Sequence, residues 1–366
     1  MKKLKLNLVT LFIILGVFLA GCSTGSNQDS ESTENKKEEN SPSTEATEDK
    51  QSENPSIQYY FTANEGGSIS KIDATSNAVV DQIDVEGAVH NVQVSPDGKI
   101  LGATVVPEMN HGSDSMEMKG LALFYDSNSN ELLKTVEVGN HPAHIVFTED
   151  GKYSLVTNNE DNNVTVIDTE NFEVTQTINT GKGPHGFRIS ADSQKAYIAN
   201  MGEDTVSVLD LKAMKEEKKI TVGSTPVTTA ITSDGKTLVV TLNAENMLAI
   251  VDLETDQVEK VPVGIGPAQV YIDAKNQFAF VANQGTEESP SNSVSVVELA
   301  SGKVTSTIET GKGSHGVVTS PDNKWLYVTN MFENTVSVID IAQTKVINTI
   351  DVGETPNGIT IMKSNK

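Results

Sequence analysis

The strongest constraint on the fold is a pattern that recurs about every 42 residues along the chain. Each copy contains a phrase such as Lys195-Ala196-Tyr197-Ile198-Ala199-Asn200, followed by a second phrase such as Thr205 to Asp210 or Thr335 to Asp340. The second phrase ends in an acid, and successive acids are 53, 42, 42, 42, 46 and 42 residues apart: Asp73, Asp126, Asp168, Asp210, Asp252, Glu298 and Asp340. Because several short strands recur at a period near forty, the sequence predicts a β-propeller with one blade per repeat.

Each repeat contains four segments with the alternation and β-branched residues of strands, which we name a, b, c and d in chain order. Asp-Gly pairs such as Asp97-Gly98 separate a from b and favour a tight hairpin. The first repeat begins at strand b (Tyr59 to Asn64), and the chain ends on an additional strand a (Gly358 to Met362). Pairing these two strands would close the ring and remove exposed sheet edges. We therefore predict an all-β, seven-bladed propeller over residues 57–366, with four-stranded antiparallel blades and the C-terminal inner strand completing the N-terminal blade.

The segment Tyr327-Val328-Thr329-Asn330, preceded by Ser320-Pro321-Asp322-Asn323-Lys324, resembles the motif of the YVTN-repeat family of β-propellers. The resemblance extends over the repeat region and implies the propeller fold. It does not imply one activity, because related propellers include scaffolds, lactonase-like enzymes, metal-handling periplasmic proteins and the catalytic propellers of nitrous oxide reductase. The last of these is disfavoured, since its copper centres need more histidines and cysteines than this chain offers.

The N-terminus has the features of a bacterial lipoprotein signal peptide. Lysines within the first five residues precede an apolar run from Leu6 to Leu19, and Leu19-Ala20-Gly21-Cys22 matches a lipobox. The run is too short to span a bilayer and ends at small residues typical of a cleavage site. We predict that residues 1–21 are a signal peptide and that Cys22, the only cysteine, carries a lipid. The protein would then be anchored to the cell membrane on its extracytoplasmic face.

Residues 22–56 contain no aromatic side chain and are rich in Ser, Thr, Glu and Asn. Such a segment cannot bury enough apolar surface to fold, so we expect a disordered acidic tether behind the lipidated Cys22. The whole chain has 50 Asp plus Glu against 27 Lys plus Arg, a net charge of −23. This charge repels phosphate backbones and attracts cations. We therefore expect no nucleic-acid partner, and instead a metal ion or small ligand, the membrane, and in one alternative an envelope protein.

All six histidines fall on the face of the predicted disc that carries the d-to-a and b-to-c connections. His90, His185 and His315 occupy one repeat position at the start of strand a, while His141 and His144 flank the same point in the third blade. A long b-to-c insertion adds four further candidate ligands: His111, Met109, Met116 and Met118. Imidazole is the commonest transition-metal ligand, and thioether sulfur favours Cu(I). We expect a copper or zinc site built first from His90, His144 and His185, with His315 approaching from across the ring and the insertion folding over it.

A purely structural role is the alternative for the shared histidine position, because a ring that bonds to backbone would be copied by duplication. The other four repeats have Ala143, Val227, Ala268 and Asn357 there, so a blade forms without an imidazole at this point. The sequence leaves the metal-binding and structural roles open.

Arg188 is the only arginine of the chain. Its neighbours Phe187 and Ile189 should pack between blades, so the alternation of strand a turns Arg188 towards the central channel. A guanidinium in that position can bind a carboxylate or phosphate of a ligand. The alternative is an ion pair with one of the many acids.

These features together favour a membrane-anchored, extracytoplasmic propeller that binds a transition metal ion for delivery or sensing. A cell-envelope interaction scaffold without a small ligand is the alternative, and a lactonase-like enzyme is the third candidate. No catalytic residue is assigned, because the repeated Asp residues belong to the repeat architecture and no Gly-x-Ser-x-Gly elbow occurs.

Overall fold

A computed structural model of the protein describes residues 57–107 and 119–363. These residues form seven four-stranded antiparallel sheets, and the inner strands of successive sheets contact one another around a ring. The prediction of an all-β, seven-bladed propeller is therefore confirmed. The predicted signal peptide (1–21), the predicted tether (22–56) and the candidate ligands of the b-to-c insertion lie outside the described residues.

From inner to outer strand, blade 1 comprises β28 (Pro356–Lys363), β1 (Ile57–Asn64), β2 (Ser68–Asp73) and β3 (Ala78–Asp84). Blade 2 comprises β4 (Ala88–Val94), β5 (Ile100–Val106), β6 (Leu121–Asp126) and β7 (Leu132–Glu137). Blade 3 comprises β8 (Pro142–Phe147), β9 (Tyr153–Asn158), β10 (Asn163–Asp168) and β11 (Val174–Asn179). Blades 4 and 5 comprise β12 (Pro184–Ile189), β13 (Lys195–Asn200), β14 (Thr205–Asp210) and β15 (Lys215–Thr221); and β16 (Pro226–Ile231), β17 (Thr237–Leu242), β18 (Met247–Asp252) and β19 (Gln257–Pro262). Blades 6 and 7 comprise β20 (Pro267–Ile272), β21 (Phe278–Gly285), β22 (Pro290–Glu298) and β23 (Lys303–Glu309); and β24 (Ser314–Thr319), β25 (Trp325–Asn330), β26 (Thr335–Asp340) and β27 (Lys345–Asp351).

Helical structure in the described ranges is limited to one 3-10 turn, Asn243–Glu245. None of the helical structure described here has the length and apolar character that a bilayer span requires.

The ring is closed by β28, which pairs antiparallel with β1. Met362 of β28 is fully buried and packs with Phe61 of the same blade and Val92 of blade 2. The last strand thus supplies both a hydrogen-bonded edge and apolar contacts to the neighbouring blade. The closure predicted from the sequence is confirmed.

The apolar core lies between neighbouring blades rather than inside one blade. Val146 and Leu155 of blade 3, for example, pack against Phe187 and Ile189 of blade 4. Because side chains alternate along a strand, Arg188 between the last two residues faces away from this cluster. The inner strands therefore present one set of side chains to the core and the other to the central channel.

The Asn that ends strand b in the repeated phrase fixes the following turn. In blade 4, Asn200 Nδ2 donates to Thr205 Oγ1 and to Ser207 Oγ, each at 2.9 Å. Four other blades have an Asn that bonds to strand c in the same way: Asn64, Asn158, Asn283 and Asn330. These turns lie on the face with the b-to-c and d-to-a connections, which we call the upper face.

The Thr that precedes this Asn joins inner strands of neighbouring blades. Thr157 Oγ1 accepts the backbone N–H of His144 at 3.0 Å and donates to the backbone carbonyl of His185 at 2.8 Å. Thr241 makes the equivalent bonds to Thr228 and Ala268, at 3.1 and 2.8 Å. One buried hydroxyl thus holds two inner strands at a fixed offset where they begin at the upper face.

Candidate metal centre

Three histidines from consecutive blades converge on the upper face. His90 lies on β4, His144 on β8 and His185 on β12, and one ring nitrogen of each lies within 4.8 Å of the other two. The Nε2 atoms of His90 and His185 are 3.3 Å apart. The structure therefore brings together the three residues that the sequence analysis placed first.

A bulge at the start of each inner strand allows residues from two repeat positions to meet. His90 and His185 occupy the shared position, whereas His144 is one residue further along its strand. In a regular strand, consecutive side chains point to opposite faces. The pairing register of β4, β8 and β12 shifts at this point, between Val89 and Asn91 in β4 and at corresponding places in the other two. Such a bulge redirects side chains, and it lets all three rings face one point.

Two of the rings use Nδ1 for a hydrogen bond to an acceptor. His90 Nδ1 lies 2.9 Å from Glu65 Oε1, and His185 Nδ1 lies 3.2 Å from the carbonyl oxygen of Val227. A carboxylate and a carbonyl can only accept, so each Nδ1 carries the proton. In the neutral rings, both Nε2 atoms then carry lone pairs, and these two lone pairs face each other. A cation, whether a proton or a metal ion, is needed between them.

The third ring has no hydrogen-bond partner at all within the described part of the chain. His144 is fully buried, and both its Nδ1 and its Nε2 lack a partner. A buried polar atom without a partner destabilises the fold by about 1–3 kcal/mol. Burial, together with the neighbouring His185 and His90, lowers the pKa of His144 well below its ordinary value. The ring is therefore neutral, and one of its nitrogens has a free lone pair.

Glu65 supplies the negative charge of this site from the β1–β2 turn. Burial alone would raise its pKa, but hydrogen bonds from His90 and Asn357 hold the pKa at about 2. Asn357 Nδ2 donates to Glu65 Oε1 at 2.6 Å and also lies 3.3 Å from His90 Nδ1. The carboxylate is thus ionised at neutral pH and fixes the orientation of His90.

His315 shares the repeat position of His90 and His185 but lies outside the three-histidine cluster. Its Nδ1 bonds to the carbonyl oxygen of Asn357 at 3.2 Å, just as His185 bonds to Val227. Burial and the nearby His90 lower the pKa of His315 to about 4. His141 is half exposed, and its Nδ1 lies 3.8 Å from Glu160 Oε1. The structure therefore gives these two rings bonding partners outside the three-histidine cluster.

Arg188 lines the central channel, as its position in strand a indicates. It borders a cavity of about 210 Å³ together with Gln93, Gln269 and Tyr271. Among the described residues, no carboxylate lies within 4 Å of its guanidinium, so the ion pair considered from the sequence is not formed.

Sequence reasoning missed Glu65, Asn357 and the Val227 carbonyl, which orient the rings. Asn357 occupies the shared histidine position of its own repeat, and Glu65 follows the Asn that ends strand b. These positions indicate the upper face, but not that Glu65 bonds to both His90 and Asn357 there. The contact depends on the closure of the ring by β28.

In the metal-free protein, the free energy of unfolding should fall as the pH is lowered below about 6.5. The folded-state pKa values of His144 and His185 lie below 6.5, so the unfolded chain takes up protons that the folded chain does not. For His185 this loss continues down to its folded-state pKa of about 3. Each residue contributes up to about 1.4 kcal/mol per pH unit within its window.

Denaturant unfolding in the presence of a chelator, at a series of pH values, measures this dependence. In a His144→Gln/His185→Gln variant, the free energy of unfolding should depend less steeply on pH than in the parent, because the two histidines no longer titrate. The carboxylates titrate in both proteins, so their contribution cancels in this comparison. Parallel curves for the two proteins would contradict the assignment of neutral, buried rings.

Comparison with known proteins is consistent with this architecture. Residues 56–264 match the family model described as lactonase, 7-bladed beta-propeller. No curated protein matches the chain. Among solved structures, hydrazine synthase from Kuenenia stuttgartiensis is 20% identical, with 75% of this chain and 89% of that chain covered and a TM-score of 0.66. A functionally unknown protein from Desulfotomaculum acetoxidans DSM 771 is 14% identical, with 84% and 100% covered and a TM-score of 0.69.

A third similar structure is the dihydro-heme d1 dehydrogenase NirN in complex with DHE. It is 11% identical, with 83% of this chain and 75% of that chain covered and a TM-score of 0.60. At these identities the three structures share the fold alone with this protein. The family match covers more than half of the chain, and the protein therefore belongs to the lactonase family of seven-bladed β-propellers.

Proposed function

We propose that the upper face binds a transition metal ion through His90, His144 and His185. The observation that carries the proposal is the arrangement of lone pairs. The Nε2 atoms of His90 and His185 face each other at 3.3 Å, and a third, buried ring has no partner for either nitrogen. A proton shared between His90 and His185 would satisfy that pair without a small ligand, but a scaffold role gives no reason for the unpartnered nitrogens of His144.

The spacing of the two Nε2 atoms supports this proposal. Zinc–nitrogen bonds of about 2.0–2.1 Å at a tetrahedral angle separate two ligand nitrogens by about 3.3–3.4 Å. The separation between His90 Nε2 and His185 Nε2 is 3.3 Å. Little movement of these two rings is therefore needed to hold such an ion. Three protein ligands leave one position for an exogenous molecule.

The groups behind the rings also support it. Metal-ligating histidines commonly donate their second N–H to a carboxylate or a backbone carbonyl, which fixes the tautomer and the ring orientation. Glu65 and the carbonyl of Val227 have these positions behind His90 and His185. The ionised Glu65 also offsets part of the positive charge of a bound ion.

Copper and zinc both suit three imidazoles. Strand β5 of blade 2 ends at the upper face, where the connection to β6 begins. This connection contains His111, Met109, Met116 and Met118. These four residues lie outside the described part of the chain. If their thioethers reach the ion, copper is favoured over zinc. We propose delivery or sensing of the metal as the role of such a site.

His185→Ala should weaken metal binding at least tenfold, whereas His315→Ala should leave it unchanged. The two histidines occupy the same repeat position, and each ring makes one 3.2 Å bond to the carbonyl of the next inner strand. The two substitutions therefore remove the same structural bond, and only the first removes a ligand. Calorimetric titration of Zn(II), Cu(II) and, without oxygen, Cu(I) into untagged protein measures the affinities.

A His90→Ala/His144→Ala/His185→Ala variant that still folds should bind none of the three ions at the same site. Equal affinities for the parent and this variant, or equal losses for His185→Ala and His315→Ala, would overturn the metal proposal.

The family match favours lactone hydrolysis as a second candidate function. Attack of water on a lactone carbonyl needs a group that takes up the proton of the water. His90 presents Nε2 towards the cluster while Nδ1 donates to Glu65, which is the arrangement of a general base. The reaction would open the ring and leave a hydroxy acid.

Glu65→Gln should lower kcat/KM for a lactone probe such as dihydrocoumarin by about tenfold or more, because His90 loses its orienting carboxylate. His315→Ala is the matched control and should keep the parent rate. If the parent protein hydrolyses the probe no faster than a His90→Ala variant does, lactone hydrolysis at this site is ruled out. Repeating the assay with a chelator separates hydrolysis by the bare residues from metal-dependent hydrolysis.

We further propose that a lipid on Cys22 anchors the protein to the extracytoplasmic face of the membrane. The support is the lipobox at Leu19-Ala20-Gly21-Cys22 and the absence of any other cysteine in the chain.

Cys22→Ser should abolish incorporation of an isotopic fatty acid, while Ser23→Ala should keep it. The processed Cys22→Ser protein should also leave the membrane fraction, because its acidic chain has little attraction for anionic lipids. Fatty-acid labelling of Cys22→Ser would contradict the proposal.

A further inference from the structure

The central channel contains an unpaired guanidinium. Its one hydrogen bond among the described residues does not satisfy it: Arg188 Nη1 donates to the carbonyl of Phe187 at 2.9 Å, and no carboxylate of these residues lies within 4 Å. A guanidinium has five N–H donors, so most of its hydrogen-bonding capacity is unused. Desolvation lowers the pKa of Arg188, and a bound anion would relieve this cost.

Other donors border the same cavity of about 210 Å³. Gln269 is 3% exposed, and its Nε2 has no partner among the described residues. Gln93 uses its Oε1 to accept the N–H of Phe147 at 3.1 Å, which leaves its NH2 group as a donor. Burial raises the pKa of Tyr271, so its hydroxyl stays neutral. Together with Arg188, these residues come from three inner strands and place several hydrogen-bond donors around one space.

We propose that this chamber is a second ligand site, in which Arg188 and Gln269 bind the carboxylate of a small organic acid. A carboxylate matches the planar fork of a guanidinium and can accept two parallel bonds from it. The volume of about 210 Å³ is large enough for a small organic acid such as acetate or lactate. Glu149 and Lys363, both exposed, also border the cavity, and the attraction between Glu149 and Arg188 offsets part of the lowering of the Arg188 pKa. A dianion such as phosphate is disfavoured, because it would be repelled more strongly by Glu149.

This site is separate from the proposed metal centre. Arg188 follows His185 by three residues on β12, which corresponds to about 10 Å along a strand. None of the three clustered histidines borders the cavity. Carboxylate binding in the cavity can therefore be measured separately from metal binding at the upper face.

The single arginine makes a direct experiment possible, because protein grown with isotope-labelled arginine has one guanidinium signal in an NMR spectrum. Millimolar acetate or lactate should shift this signal in a saturable way, with or without a chelator. In calorimetric titrations with lactate, Arg188→Gln should lose binding, and Arg188→Lys should bind at least tenfold more weakly because the planar fork is gone. Lys195→Gln has the same charge change at an exposed ion pair with Glu217 and should bind as the parent does.

An Arg188 signal that does not respond to acetate or lactate would overturn the proposal. A response to inorganic phosphate alone would also overturn it, since the chamber would then select tetrahedral anions. If Glu149→Gln shifts the signal without added ligand and the parent is unresponsive, Arg188 is paired with Glu149 in solution and the chamber is not a ligand site. Equal affinities for the parent and Arg188→Gln would show that lactate binds elsewhere.

Discussion

The architecture of the upper face depends on a threonine hydroxyl that hydrogen-bonds to two inner strands at once. Thr157 accepts an N–H from its own blade and donates to a carbonyl of the next blade. Each such bond contributes only about 0.5–1.5 kcal/mol. Its main effect is geometric, because the bonds are repeated around the ring and fix the offset between inner strands where apolar packing alone would permit sliding. The rings of the candidate site inherit their spacing from this offset.

The same bridge occurs where no histidine is present, as between Thr241 and Ala268. The scaffold is therefore independent of the chemistry that it carries, and a side chain can change at the shared position without loss of the blade. His315 illustrates this point, since its ring is bonded to backbone and remains outside the cluster. What distinguishes the candidate site is the presence of His144 one residue further along the neighbouring strand. The buried nitrogens of His144 have no hydrogen-bond partner among the described residues.

The sequence predicted the fold closely because a propeller is determined by local, repeated features. Strand alternation, the Asp-Gly turns and the permuted ends were sufficient for the seven blades and their closure. It also predicted that His90, His144 and His185 would lie near one another, because their blades are consecutive. It could not predict the bulge that aims the rings or the bond between His90 and Glu65. These depend on register shifts and on contacts between blades, which leave no periodic signal.

The closing strand adds a temporal order to the assembly of the site. Asn357 belongs to β28, the last strand of the ring in chain order, yet it bonds to Glu65 in the β1–β2 turn and lies beside His90. A chain that has been synthesised only as far as blade 7 already contains the three clustered histidines, but Glu65 then lacks its second donor. The site reaches its final arrangement only after β28 has paired with β1. Ring closure and the orientation of His90 are thus parts of one folding event, although the residues involved are far apart in the sequence.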